Sequence, residues 1–180
     1  SRVVGESVLG GPYAINKGTL TNNNYRITYV GANLAIAPLA VTVMADADQN
    51  KVYGSADPTT YTYTSYPAVD SLLANGEVTG FDGTLSRIPG ENVGSYVIDK
   101  NTLDNSNYII DYKEANFSIT PLAVSVIADP GQTKVYGSVN PGEYTYASSP
   151  AVGSLLANGE AIAFTGALSR LPGEDVGRYV

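Results

Sequence analysis

The sequence predicts a mainly β protein. Its units are tandem β-rich domains of about 83 residues, sandwich-like or β-grasp-like, each with six to seven short strands and at most one short helix, strung into an elongated rod. Three observations predict this. Lys51-Val52-Tyr53-Gly54-Ser55, followed by Asp57-Pro58, returns as Lys134-Val135-Tyr136-Gly137-Ser138, followed by Asn140-Pro141, an offset of 83 (134 minus 51). On that offset Pro38 falls on Pro121, Tyr61 on Tyr144, Leu72 on Leu155, Arg87 on Arg170 and Tyr96 on Tyr179, without a gap. The third observation is composition: 14 Tyr, 19 Gly and 10 Pro against 3 Phe and no Trp favour short strands joined by many turns.

The first 37 residues align with the end of the next unit. Tyr13 matches Tyr96, Asn24-Tyr25 matches Asn107-Tyr108, and Ile36-Ala37-Pro38 matches Ile119-Thr120-Pro121. Upstream of Tyr13 the register slips by two residues inside a Gly/Pro-rich turn, so that Ser1-Arg2 matches Ser86-Arg87. The expected organisation is therefore the C-terminal part of one repeat over 1–37, a complete repeat over 38–120 and the N-terminal part of the next over 121–180. A chain that opens without Met and is divided this way reads as a segment of a longer one.

Within the complete repeat, Leu39 to Ala45 alternates Val41, Val43 and Ala45 against Ala40, Thr42 and Met44, the pattern of a strand with one buried face. Pro38 stands before it, where a missing N–H does little harm. Asp46 to Asn50 is a polar turn, and Lys51-Val52-Tyr53 is a short extended piece closed by Gly54. Tyr61-Thr62-Tyr63-Thr64 reads as a period-two strand with both tyrosines on one face. Val69 to Asn75 is the one segment of helical flavour, with Asp70 as its cap and Gly76 as its end. Val78 to Ser86, broken by Gly80 and Gly83, and Gly94 to Asp99 read as strands. Asn107 to Tyr112 and Glu114 to Ile119 read as a hairpin turning near Lys113 and Glu114. The Pro at each junction, Pro38 and Pro121, leaves almost no linker between units and restricts their mutual orientation.

Ten basic against 17 acidic residues give a net charge of -7. That removes the electrostatic basis for binding nucleic acid or an anionic membrane, and no apolar run is long enough to span a bilayer. The absence of Cys and His removes disulfides, the usual zinc sites and every Ser-His or Cys-His nucleophile. With no Gly-rich loop before a helix either, the sequence predicts no catalytic residue, no cofactor and no enzyme.

Candidate ligand positions are few. Asp46-x-Asp48 with Asn50 has the oxygen donors of a calcium loop, but its copy Asp129-Pro130-Gly131-Gln132 loses the second carboxylate, so a solvated turn is the better reading and no metal site is assigned. Asn22-Asn23-Asn24 and Asp104-Asn105-Ser106-Asn107 read the same way. Tyr61, Tyr63, Tyr144 and Tyr146 form a strand-borne aromatic strip on which a sugar can stack, against the plainer reading of half-buried core tyrosines. Glu91 and Glu174 stand four residues after Arg87 and Arg170, a spacing at which they can pair, and an exposed pair of that kind contributes little. A Lys51 or Lys134 isopeptide link to a strand Asn such as Asn116 is not singled out by spacing. Tyr53, Gly54 and Pro58, with Tyr136, Gly137 and Pro141, read as a structural signature: the glycine supplies a turn or bulge, the tyrosine packs beside it, and the proline ends the turn.

Tyr53-Gly54-Ser55-x-Asp57-Pro58, then Gly90-Glu91-Asn92-Val93-Gly94-Ser95-Tyr96, Asn107-Tyr108-Ile109-Ile110 and Ile119-Thr120-Pro121 resemble the MBG repeat domain of the YGX type. The resemblance covers the whole chain as one complete and two partial copies. It implies an extracellular, secreted or surface-attached module of long bacterial adhesins similar to filamentous haemagglutinin, and it carries no catalytic residue over. The expected partners are adjoining repeats, or copies of the chain joined head to tail by strand addition between its complementary ends, with a glycan as the alternative.

Overall fold

The computed structural model describes residues 1–179, which form two compact units. Unit 1 comprises Ser1–Gln49, Pro58–Gly90 and Ser95–Ser118; unit 2 comprises Asn50–Asp57, Glu91–Gly94 and the chain from Ile119 onward. Among the described residues the regular structure is all β. The strands are β1 (Tyr13–Ile15), β2 (Ala32–Leu34), β3 (Leu39–Ala45), β4 (Asn50–Val52), β5 (Tyr63–Tyr66), β6 (Ser86–Arg87), β7 (Gly94–Asp99), β8 (Tyr108–Lys113), β9 (Ala115–Thr120), β10 (Ser125–Ala128) and β11 (Tyr146–Ser149).

In unit 1, β3 is central to a sheet of order β5-β3-β8. It runs antiparallel to β5, with Thr42 opposite Tyr66, and parallel to β8, with Leu39 opposite Tyr108. The predicted alternation holds residue by residue: Val41, Val43 and Ala45 are buried while Met44 is exposed. A second sheet carries β9 beside β7, with β6 at the edge, where Ser86 lies opposite Asp99. Val41, Val43, Leu85, Ile98, Leu103 and Phe117 are the buried apolar core of this sandwich-like unit. Phe117 is fully buried, a burial that stabilises by roughly 2–3 kcal/mol. Tyr112 on β8 donates its hydroxyl to the Ile98 carbonyl on β7 at 3.0 Å. The N-terminal segment makes the antiparallel pair β1-β2, anchored by the buried Tyr13.

In unit 2, β10 pairs with β11 antiparallel, and the register Ser125 to Ser149 copies Thr42 to Tyr66 at the repeat offset. Next to the last residues of β9, β4 is held by Tyr53 N–H donating to the Thr120 carbonyl at 2.8 Å and by Thr120 Oγ1 donating to the Lys51 carbonyl at 3.2 Å. The peptide bonds Tyr66-Pro67 and Ser149-Pro150 are both cis, one more feature shared by the copies.

Four expectations are corrected. The segment 69–75 is a tight turn and not a helix: Gly76 N–H returns to the Leu73 carbonyl at 3.0 Å, Leu73 N–H donates to the Glu77 carbonyl at 2.7 Å, and Gly76 has φ of 90°. Asn75-Gly76 is turn chemistry, and a three-residue loop with a left-handed glycine closes before one helical turn can propagate. Strands β8 and β9 are not a hairpin. A single residue, Glu114, separates them, too few to reverse a chain within one sheet, so the polypeptide passes from one sheet to the other there. Residues 78–86 are mostly irregular, and the tyrosine strand begins at Tyr63 instead of Tyr61.

Candidate functional site

The Lys-Val-Tyr-Gly-Ser turn of unit 2 carries several polar contacts. Ser55 N–H donates to the Val52 carbonyl at 3.0 Å and closes the turn, with Gly54 at φ of 84°. A side chain at Gly54 would be strained by that angle and blocked by a neighbour, because an added Cβ would lie 2.5 Å from Leu156 Cδ1 and 2.9 Å from Leu156 Cβ. Asn158 N–H donates to the Gly54 carbonyl at 3.1 Å, and the Tyr53 hydroxyl donates to Glu160. That bond holds the Tyr53 pKa above its ordinary value. The segment Leu156 to Glu160 is thus seated against the turn by one apolar contact, one backbone hydrogen bond and one charge-assisted bond.

Lys51 sits behind the turn. Its side chain is almost wholly buried, and its ammonium donates to Glu91 Oε2 at 2.5 Å and lies 2.7 Å from Asp57 Oδ1. Partial desolvation pulls its pKa down, but the bonds to Asp57 and Glu91 outweigh it, and the Lys51 pKa rises above the usual lysine value. A shallow depression of about 300 Å³ beside the cluster is lined by Lys51, Ser55, Ala56, Asp57, Glu91 and Asn158. The ammonium therefore faces Asp57 and Glu91, while Asn116 lies on the exposed face of β9.

The second copy has the same turn with a different charge arrangement. Ser138 N–H donates to the Val135 carbonyl at 3.0 Å, and Gly137 has φ of 81°. Lys134 donates to Glu174 and to the Ser138 carbonyl, and Arg170 reaches Glu174 at 2.7 Å. Asn140 replaces Asp57 and accepts from Arg170 at 2.9 Å. The bonds from Lys134 and Arg170 hold the Glu174 carboxyl below the usual carboxylate range. Among the described residues nothing lies within 4 Å of a Cβ added at Gly137, and Tyr136 is 71% exposed, whereas Tyr53 is half-buried.

An Arg-Gly-Tyr clasp occurs three times. Arg2, Arg87 and Arg170 each donate to the next residue's carbonyl and to that of the glycine three positions on, Gly5, Gly90 and Gly173. Each guanidinium also lies over a tyrosine ring, Tyr13, Tyr96 or Tyr179, at 5.1–5.3 Å from the centroid. Each glycine has a positive φ, and a Cβ there would overlap the same ring. In unit 1, Arg87 also covers Phe117 at 5.4 Å. In unit 2, the corresponding surroundings of Arg170 form a cleft of about 810 Å³ lined by Lys134, Tyr136, Tyr144, Arg170, Glu174 and Tyr179 among others.

The predicted tyrosine strip is distributed over several environments. Tyr61 meets Phe117 edge-on at 5.5 Å, and Tyr63 meets Phe81 edge-on at 5.9 Å, with burial raising the Tyr63 pKa. Tyr146 stacks tilted on Phe164 at 6.2 Å, and Tyr144 lines the cleft. Tyr66, at the end of β5, is 81% exposed. Of the structural signature, Tyr53, Gly54, Tyr136 and Gly137 lie in the turns described, while Pro58 and Pro141 follow on exposed chain.

Two residues that the sequence reading passed over organise both copies. Gln49 Nε2 donates to the carbonyls of Asp46 and Thr62 at 2.9 and 3.0 Å, and its Oε1 accepts Thr62 N–H at 2.9 Å. Gln132 makes the same three bonds to Asp129 and Thr145. The signal available in the sequence was that Gln49 and Gln132 match across the offset while the loop around them diverges.

Compared with known proteins, the chain matches the family described as MBG domain (YGX type) over residues 1–35 and 41–118, more than half its length. No curated protein and no solved structure matches it.

Proposed function

This chain belongs to the MBG domain family (YGX type), and from that premise we propose that it is a non-enzymatic structural repeat of a bacterial surface protein. In this reading it is an extracellular module whose copies stack end to end to build a stalk or filament that holds an adhesive part away from the cell. The observation that carries the reading is the seating of Leu156–Glu160 against Tyr53 and Gly54. In the first copy of the repeated turn, Tyr53 and Gly54 are spent on a contact with another segment of the chain.

The acidic, Cys-free and His-free composition supports the same reading, since it suits a soluble exposed module and supplies no ordinary nucleophile or zinc ligand. Two measurements test it. Antibodies raised against this segment should label intact cells of the source bacterium, and protease added outside should remove the epitope. Labelling only after lysis discards the surface assignment. Small-angle scattering of the 180-residue protein should give an extended particle, and a globular profile discards the stalk.

A further inference from the structure

We propose that the Tyr-Gly-Ser turn is the receptor through which copies of this chain bind one another: Lys134–Ser138 of one copy takes the Leu73–Glu77 turn of a second. The proposal rests on the reading of the chain as a stacking repeat and names the surfaces that would do the stacking. It is argued from an engaged example inside unit 2, where Lys51–Ser55 holds Leu156–Glu160 through Gly54, Tyr53, Leu156, Asn158 and Glu160.

The second pair of surfaces matches the first in sequence and in conformation. Leu73-Ala74-Asn75-Gly76-Glu77 is identical to Leu156-Ala157-Asn158-Gly159-Glu160. Gly76 and Gly159 close their turns with the same 3.0 Å bond, to the Leu73 and Leu156 carbonyls. Asn75 Oδ1 and Asn158 Oδ1 each accept, at 3.1 Å, the N–H of the glutamate two residues on. The receiving turns also superimpose in their bonds: Ser55 and Ser138 each close theirs at 3.0 Å, and Gly54 and Gly137 have φ of 84° and 81°. Both surfaces thus hold the docked conformation before docking, so association orders no loop and costs only rigid-body entropy.

The free surfaces are also open. Among the described residues no atom lies within 4 Å of a Cβ at Gly137, Val135 is 76% exposed and Tyr136 71%, and Asn75 and Glu77 are exposed. Each copy presents one receiving turn, Lys134–Ser138, and one inserting turn, Leu73–Glu77, made of different residues. The contact is therefore heterologous and repeats from copy to copy without closing on itself unless the geometry makes a ring. It is small, and the engaged example leaves Asn158 Nδ2 buried without a hydrogen-bond partner, which sets docking against an amide desolvation cost. Association between separate chains accordingly falls in the weak range, on the order of the millimolar effective concentrations that tandem linkage supplies.

Sedimentation velocity of the 180-residue protein up to about 1 mM tests this. The sedimentation coefficient of the unmodified protein should rise with concentration. Gly137→Val puts a side chain where Leu73 would sit and should abolish the rise. Gly166→Val imposes the same kind of strain, at φ of 86° with open space around it, and should leave the rise intact. A protein that stays monomeric throughout overturns the proposal, as does a Gly137→Val protein that associates like the unmodified one. Loss in both variants also counts against it.

Because the chain has no Cys, a crosslink gives an independent reading. Gly137→Cys mixed with Leu73→Cys should form the mixed disulfide several-fold faster than Gly166→Cys mixed with Leu73→Cys, and equal rates overturn the proposal. A protein that is labelled on intact cells yet monomeric discards this inference and leaves the surface role standing. One that associates yet is never surface-exposed does the reverse.

Discussion

The Leu156 side chain fills the space that a Cβ at Gly54 would need, a contact made across 102 residues of sequence (156 minus 54) and possible only because position 54 has no side chain. The repeated tripeptide Tyr-Gly-Ser is thereby tied, in its first copy, to a particular neighbour. Its glycine is required twice over, by a left-handed backbone angle and by contact.

Gly54→Ala and Gly137→Ala separate those two requirements. Both incur the left-handed strain, about 1 kcal/mol. Only Gly54→Ala also collides with Leu156, which should add roughly 1–3 kcal/mol of overpacking. Urea unfolding should therefore show Gly54→Ala the more destabilised, and equal losses would mean that Leu156 does not pack there.

Gln49 uses its whole amide to tie the Asp46 turn to Thr62. Gln49→Glu keeps the size but replaces the donor with an oxygen facing two carbonyls, and should cost about 1–3 kcal/mol at neutral pH. Lowering the pH until that carboxyl is protonated should recover part of the loss. A Gln49→Glu protein as stable as the parent at pH 7 would contradict the clamp.

Lys51 governs an alkaline dependence. Its folded pKa lies above the unfolded value, so the stability it contributes is fully present below the unfolded lysine pKa, about 10.4, and is lost as pH rises through the folded one. Lys51→Met removes this dependence and leaves Asp57 and Glu91 without their shared cation. Thermal melts from pH 8 to pH 11 should show the parent falling at the top of the range more steeply than Lys51→Met, and parallel curves would remove Lys51 from the account.

Tyr112 adds a second alkaline step. Burial, reinforced by Asp99 and Glu114, pushes its pKa up to about 12. Its neutral form is favoured in the fold, so this contribution is present below the unfolded tyrosine value, about 10, and is lost as pH climbs toward 12. Absorbance titration should show one tyrosine ionising late, and Tyr112→Phe should delete that late component. A titration identical in the two proteins would contradict the assignment.

What the sequence disclosed depended on how local the cause was. The bounds of β3 and β7 were legible, β3 because one buried face imposes alternation on Leu39 to Ala45, and β7 because glycine marks its start. The 69–75 turn was misread because Leu72 and Leu73 weigh toward a helix, while Asn75-Gly76 decides the geometry in three residues. The β8–β9 hairpin failed because adjacency in sequence ordinarily means adjacency in a sheet, and the one-residue gap at Glu114 overrides that. The repeated turn was legible as the marker of the 83-residue sequence repeat. Its function as a seat for Leu156 was not, because a glycine's open side is defined by what a distant segment brings to it. Gln49 escaped notice because its bonds all go to backbone atoms, which leave no mark on residue type.

The Arg-Gly-Tyr clasp has a kinetic consequence. It forms around Arg87 beside the buried Phe117, around Arg170 at an open cleft, and around Arg2 even though two additional residues separate that arginine from its tyrosine. A structure that assembles in three different surroundings from about ten consecutive residues is specified locally, and its loop closes at little entropic cost and on the submicrosecond scale of short-loop closure. Each repeat therefore carries its own early folding seed, formed before the long-range β pairing that completes the domain. An array of such repeats can begin to fold at many points while the chain is still emerging.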